Sequence, residues 1–285
     1  MQTNAEAVFA EINRACEQNT ALSLLLANVT DFAISRITNQ WAVSHFYCTK
    51  TNIKELVLKS SNGYQVRNIP VCIERGNKQE DKYQDMVIEF DENGKISDLT
   101  IALSHHQYAN VITTSVTDLL RQRQIILDFV ENFRTAYNRK ELPYIEKVFS
   151  DEALIITGKE LERDGRIITT LTTEDKGGYI KKLRRIFDGN SYINIKFDEI
   201  KVKQDEGKPD FYYVYLTQDW NSSTYSDKGW LLLTIQFRGE DHPLIWVRAW
   251  QPLDSANPGR RRTTYKRRRY SYRRLIQHSN RRLKT

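Results

Sequence analysis

Between Tyr192 and Gln251 the chain carries four successive runs of strand character, Tyr192–Val202, Phe211–Trp220, Gly229–Phe237 and Leu244–Gln251, separated by turn-forming residues. Runs of this length, with aromatic and β-branched residues at period two, form an antiparallel meander. Helical segments come first. One helix, near 119–137, sets Leu119, Ile126, Val130, Phe133 and Tyr137 on one face and Arg121, Arg123, Asp128, Glu131 and Arg134 on the others. A short helix, ELPYIEKVF, holds Pro143 in its first turn, where a missing N–H is tolerated. The strand ALIITG follows. A further helix in TTEDKGGYIKKLRRIFDGN buries Tyr179, Leu183, Ile186 and Phe187 and stops at Gly189. Helices followed by a meander make an α+β unit.

The first half has similar grammar. Thr3-x-x-Glu6 is a capping box, and Val8, Phe9, Ile12, Ala15 and Cys16 recur at helical spacing. An apolar helical stretch over Ala21–Ile37 is expected next, then strands at Trp41–Tyr47, Glu55–Leu58, Val66–Glu74, Asp85–Phe90 and Ile96–Leu103. IEFDENGKISDL reads as a hairpin, because Asn93-Gly94 tolerates positive φ. Ile88-x-Phe90 with Ile96–Leu103 resembles Ile235-x-Phe237 with Leu244–Gln251, so two tandem units are expected. The boundaries are an α+β domain over 1–107, a linker over 108–117, a second domain over 118–254 and a tail over 255–285.

The charge belongs to that tail. Residues 260–285 hold 12 Lys/Arg and no acid, while the rest of the chain has 31 Lys/Arg against 36 Asp/Glu. The formal +7 therefore says nothing basic about the folded domains. As an electrostatic arm, Arg267, Arg268, Arg269, Tyr270, Arg273 and Arg274 would bind phosphates and stack on bases. A solvated extension or a non-native terminus are the alternatives.

No apolar run approaches the ~20 residues of a membrane span, so no membrane insertion is expected. MQTNAEAVFAEINRACE lacks a secretory pattern, which points to the cytoplasm, with the cell envelope as the alternative if a leader precedes this chain. Three widely spaced cysteines without CxxC indicate neither a disulfide framework nor a zinc site. His105-His106, neighbours on a strand end, would point to opposite faces, and His45 reads as a core residue. Asp219 reads as a turn cap with the option of orienting a water. GxSxG, HExxH, phosphate loops and GxGxxG are missing; no catalytic residue, metal or cofactor is assigned.

FVENFRTAYNRKELPYIEKVFSDEALIITG and YVYLTQDWNSSTYSDKGWLLLTIQF…IWVRAWQP resemble the nuclear transport factor 2-like superfamily, which includes ketosteroid isomerase and polyketide cyclases. The resemblance covers residues 117–252 and extends more vaguely to a diverged copy in 1–107. It implies a cone-shaped curved sheet packed on helices, a pocket and a homodimer surface. The pocket-lining residues would be Thr157, Tyr179, Tyr213, Tyr215, Trp230, Trp246, Arg248 and Trp250, with Trp246, Arg248 and Trp250 on one face of the last strand. The isomerase chemistry does not carry over. Its oxyanion tyrosine falls on Phe133 and its base on Thr157; a phenyl ring donates no hydrogen bond, and a threonine hydroxyl is a poor base near pH 7. The expectation is a non-catalytic module that binds a small apolar ligand or a protein. The alternatives are an isomerase, dehydratase or cyclase using the cone, and nucleic-acid binding through the tail.

Overall fold

The computed structural model describes residues 1–24, 28–50, 57–60, 63–73, 83–113, 120–163, 166–239 and 242–253. The tail residues from Arg267 to Arg274 and positions 114–117 of the expected linker lie outside these. Two compact units emerge. One is Met1–Glu141 with Asn190–Ile195 and Asn221–Thr224; the other is Leu142–Gly189 with Lys196–Trp220 and Tyr225 onward.

The first unit comprises α1 (Gln2–Gln18), α2 (Asp31–Val43), β1 (Phe46–Cys48), β2 (Val57–Ser60), β3 (Gly63–Ile73), β4 (Tyr83–Phe90), β5 (Ile96–Ile101), α3 (His105–Thr113) and α4 (Leu120–Asn138). Its sheet runs β1-β3-β4-β5, with β2 also on β3, and every named pair is antiparallel. The Asn93-Gly94 hairpin forms as expected: Asp91 Oδ1 accepts from the N–H groups of Asn93 and Lys95, and Gly94 takes φ 76°.

Several expectations are corrected. Thr3 is not a cap, because α1 already begins at Gln2 and no side chain caps Met1; Gln2 Nε2 donates to Glu6 instead. The second helix starts at Asp31 rather than Ala21, since Thr30 Oγ1 accepts from the Ala33 N–H and fixes the start there. It then runs through Trp41 to Val43, which leaves only Phe46–Cys48 as strand. A helix over His105–Thr113 takes in the start of the expected 108–117 linker, so the histidine pair opens a helix instead of closing a strand. The charged positions of α4 are not all outward: Glu131 and Arg134 are buried with Ile126, Val130 and Phe133.

Two bulges set the phase of this sheet. Asn68, at φ 61°, lies between Val66 and Ile69 where the pairing with β4 shifts, and a second shift falls opposite Glu89–Phe90. They keep Ile69, Val71, Met86, Ile88, Leu99 and Ile101 on one face, packed with the buried stripes of α1 and α2. The other face carries Gln65, Arg67, Glu89, Asp98 and Thr100.

The second unit comprises α5 (Leu142–Val148), β6 (Phe149–Arg163), β7 (Arg166–Asp175), α6 (Lys176–Gly189), β8 (Ile193–Gln204), β9 (Phe211–Ser222), β10 (Ser226–Phe237) and β11 (Pro243–Pro252). The four closing strands match the expected runs to within a few residues. ALIITG is the middle of a longer strand, and its partner β7 was not foreseen. Thr172–Asp175 end that strand rather than open the helix. The sheet order is β7-β6-β11-β10-β9-β8. It is strongly curled and is not a pure antiparallel meander: β11 pairs antiparallel with β10 but parallel with β6.

Candidate functional site

Alternation along β11 and its neighbours decides which side chains can meet. Arg248 lies opposite Leu233 on β10 and Ile155 on β6; Trp250 lies opposite Leu231 and Thr157. These residues share one side of the sheet. That side faces α6, because the Arg248 guanidinium stands 5.4 Å over the ring of Tyr179, which in turn packs edge-on against Phe149. Thr157, Tyr179, Arg248 and Trp250, all among the expected lining residues, are thus brought to the helix-facing side.

The other four are not. Tyr213, Tyr215 and Trp246 pack with Leu154, Ile156, Leu232, Val247 and Ala249 on the opposite side, and alternation places Trp230 there beside Leu232. The reason for Trp246 is a bulge between Ile245 and Val247, where Ile245 faces Ile235 and Val247 faces Thr234. The extra residue inverts the phase, so Trp246 meets Phe211 at 6.0 Å instead of lining up with Arg248. On this opposite side the Tyr213 hydroxyl donates to Asp205 Oδ2 at 2.5 Å. That bond holds the Asp205 carboxyl below its ordinary range, and burial pushes the Tyr213 phenol up. Burial also raises Tyr215, to about 12.

Two residues that the sequence reading passed over complete the helix-facing side. Arg248 Nη2 donates to Gln218 Oε1 at 3.4 Å, with both side chains buried. Counting back by two from Leu231 through Gly229 reaches Asp227, so its carboxyl starts on the same side. Burial raises the Asp227 pKa, with Asp219 adding repulsion, while the Tyr225 hydroxyl and the Arg248 charge oppose the rise. The Arg248 charge thus reaches Asp227 on the same side of the sheet. The signal was legible in SDKGW, where the side-chain-free Gly229 sits between Asp227 and the apolar run.

Gly229 has a steric task. A Cβ there would lie 2.5 Å from the Trp250 indole and 2.4 Å from the Gln251 carbonyl oxygen, so the ring lies against bare backbone. Trp250 is 8% exposed, yet its Nε1 donates to nothing among the described residues, and Asp227 Oδ1 accepts nothing. Chemically, this side offers a guanidinium, an indole N–H, an amide, a hydroxyl and a carboxyl that resists ionisation.

The remaining candidates have structural surroundings. Phe133 is fully buried on α4, stacked on Phe129 and edge-on to Tyr137. His45 stacks on Trp41 at 4.3 Å. His106 is exposed and bonds Asn110, and Asp219 reaches Lys228 at 3.7 Å.

No protein-family model and no curated protein matches the sequence. Among solved structures, the chain is similar to a protein of Bdellovibrio bacteriovorus at 16% identity, covering 50% of this chain and 44% of that one, with a TM-score of 0.39. It thus spans less than half of that relative. A nuclear transport factor 2-like protein of Cytophaga hutchinsonii matches at 15% identity over 46% of this chain and 98% of its own, TM-score 0.35. A Novosphingobium aromaticivorans protein provisionally called a scytalone dehydratase matches at 10% identity, 48% and 89%, TM-score 0.37. These matches take in about half of this chain.

Proposed function

We propose that the second unit is a small-ligand-binding module whose site is the helix-facing side of its curled sheet. Trp250, Asp227, Gln218, Arg248, Tyr179 and Thr157 would form it. The observation that carries this reading is the pair of polar atoms, Trp250 Nε1 and Asp227 Oδ1, buried on one side without a partner among the described residues. A buried unsatisfied polar group costs about 1–3 kcal/mol, and native proteins retain few of them. A ligand that accepts from the indole N–H and meets the carboxyl would satisfy both, with the Tyr179 and Trp250 rings supplying apolar contact.

The test is a small-molecule screen by thermal shift on the full chain. Compounds that stabilise the native protein should lose most of that effect in Trp250→Phe and Asp227→Asn and keep it in Trp246→Phe on the opposite side. Equal stabilisation in all three variants, or loss in Trp246→Phe alone, overturns the site.

The raised Asp227 pKa favours a second reading, proton-transfer chemistry of the isomerase or dehydratase kind on the same bound compound. Turnover of a screened ligand by the native chain and not by Asp227→Asn would separate catalysis from binding.

A further inference from the structure

The polar face of the first sheet is covered by α4, and the contact between them is built from charge. Arg67 is clamped by Glu131: Nη2 donates to Oε1 at 2.5 Å and Nη1 to Oε2 at 3.1 Å. Its guanidinium also lies 3.8 Å over the Tyr108 ring of α3. Arg36 of α2 meets Asp98 of β5 at 2.8 Å and Glu141, just past α4, at 3.4 Å. Arg139 reaches Asp98 at 3.5 Å and donates to the Leu99 carbonyl. Backbone N–H groups of the edge strand and beyond are taken up by the helix as well: Leu103 donates to Glu131 Oε1 at 2.6 Å and Ile101 to Thr135 Oγ1 at 3.0 Å.

The charges in this layer do not balance. Asp98, Glu131, Glu141, Glu89 and Asp128 face Arg36, Arg67 and Arg139, while the fourth arginine, Arg134, donates to the carbonyls of Ala102 and Ile195 and to Gln84. Asp98 and Glu131 hold the close arginine contacts. Asp128 stands 3.9 Å from Arg67, and its Oδ1 accepts no hydrogen bond among the described residues. Glu89 lies between Gln65 and Asp98 in the sheet register.

We propose that this layer is a proton-operated clamp: α4 is held on the sheet while Glu89 and Asp128 carry protons, and its hold weakens when both ionise. Burial first, then the carboxylates of Asp98, Asp128 and Glu131, push Glu89 up to about 8 against the opposing charge of Arg36. Burial and Glu131 push Asp128 up to about 7 against Gln65 and Arg67. Tyr108 faces Asp128 from α3 and is itself raised by burial, so it stays neutral throughout this range. Burial likewise raises Glu141. In the unfolded chain both carboxyls ionise at ordinary values near 4. Folding therefore binds protons between that value and about 8, and stability falls as the pH rises through that window, then levels off above it.

Hydrogen exchange on the full chain at pH 6 and pH 9, corrected for intrinsic chemical exchange, tests the clamp. The amides of α4 should lose at least about tenfold in protection at pH 9, since tenfold corresponds to one unit of pKa difference between bound and released states. Glu89→Gln with Asp128→Asn, which mimics the protonated pair, should keep the pH 6 protection at pH 9. Unchanged α4 protection in the native chain overturns the proposal, as does an equal loss in the double variant or a loss of the same size throughout α1. If the double variant fails to fold, thermal melting of the native chain decides: a midpoint that does not fall from pH 6 to pH 9 overturns the clamp.

Discussion

Both sheets have one apolar face and one face that carries charge, but they treat the charge differently. Under α4, arginine meets carboxylate directly, and even the N–H groups of Ile101 and Leu103 are taken up by the helix. On the helix-facing side of the second sheet, one arginine and one carboxyl stand among aromatic rings, and Trp250 Nε1 and Asp227 Oδ1 have no partner among the described residues. The contrast teaches a working distinction. Close ion pairs hold the first layer together although Asp128 Oδ1 is unpartnered there too, whereas the second sheet sets an unpartnered indole N–H and an unpartnered carboxyl oxygen on one side without such pairs between them.

The largest effect should come from the ion-paired layer under α4. Glu131→Leu strands Arg67, 3% exposed, and removes the acceptor of the Leu103 N–H. Breaking a buried pair by deleting one partner costs about 3–5 kcal/mol. Chemical denaturation should show a loss of that order. A cost below 1 kcal/mol would mean that water already reaches the layer, and the distinction between the two sheets would collapse.

Next comes Gly229→Ala, which sharpens the comparison from the other side. The new methyl meets the Gln251 carbonyl oxygen and the Trp250 ring at 2.4 and 2.5 Å. Overpacking of this kind costs about 1–3 kcal/mol. Because the indole must shift, any compound found to stabilise the native chain should lose its effect. Retained ligand stabilisation in this variant would show that the indole position does not matter.

These two sites also mark what the residues alone disclose. The four closing strands and the α1 stripe were legible because aromatic and aliphatic residues repeat there at one unbroken period. Trp246 was assigned to the wrong side because a single bulged residue, invisible to period counting, inverts everything before it. The strand RIITTLTTED went unseen because Thr170, Thr172 and Thr173 are exposed and give little apolar contrast. Glu131 and Asp128 were placed on faces other than the apolar one, and a helical wheel cannot show that a sheet supplies Arg67 to meet them. Asp227 was hidden in a segment rich in turn residues, although its spacing from Leu231 was there to count.

A smaller effect is expected on the opposite side of the second sheet, where Tyr213 and Asp205 bond each other. Tyr213→Phe removes the donor to Asp205. The loss should be about 1 kcal/mol, the net worth of an ordinary hydrogen bond. The depressed carboxyl of Asp205 gives the effect a direction in pH. Its contribution is present above the ordinary aspartate value of about 3.9 and fades as acid protonates the folded state. Denaturation curves of native and variant should therefore converge at low pH; a gap that widens in acid would contradict the assignment.

The smallest effect is the most discriminating. Asp227→Asn keeps the shape of the side chain and an acceptor for the Tyr225 hydroxyl, and stability should change by less than about 0.5 kcal/mol, as for substitutions away from a satisfied network. What matters is the sign with pH. A carboxyl raised by burial is neutral in both states in acid, so native and variant should coincide there. As the pH rises past the ordinary aspartate value, the native fold must either hold a proton or bury a charge, and the amide variant is spared both. The variant should then be the more stable protein at pH 8. The opposite outcome, a variant weaker at pH 8 than the native chain, would show Asp227 acting as the carboxylate partner of Arg248. In that case the helix-facing side would be a second ion-paired layer, and the unpartnered indole alone could not sustain a binding site.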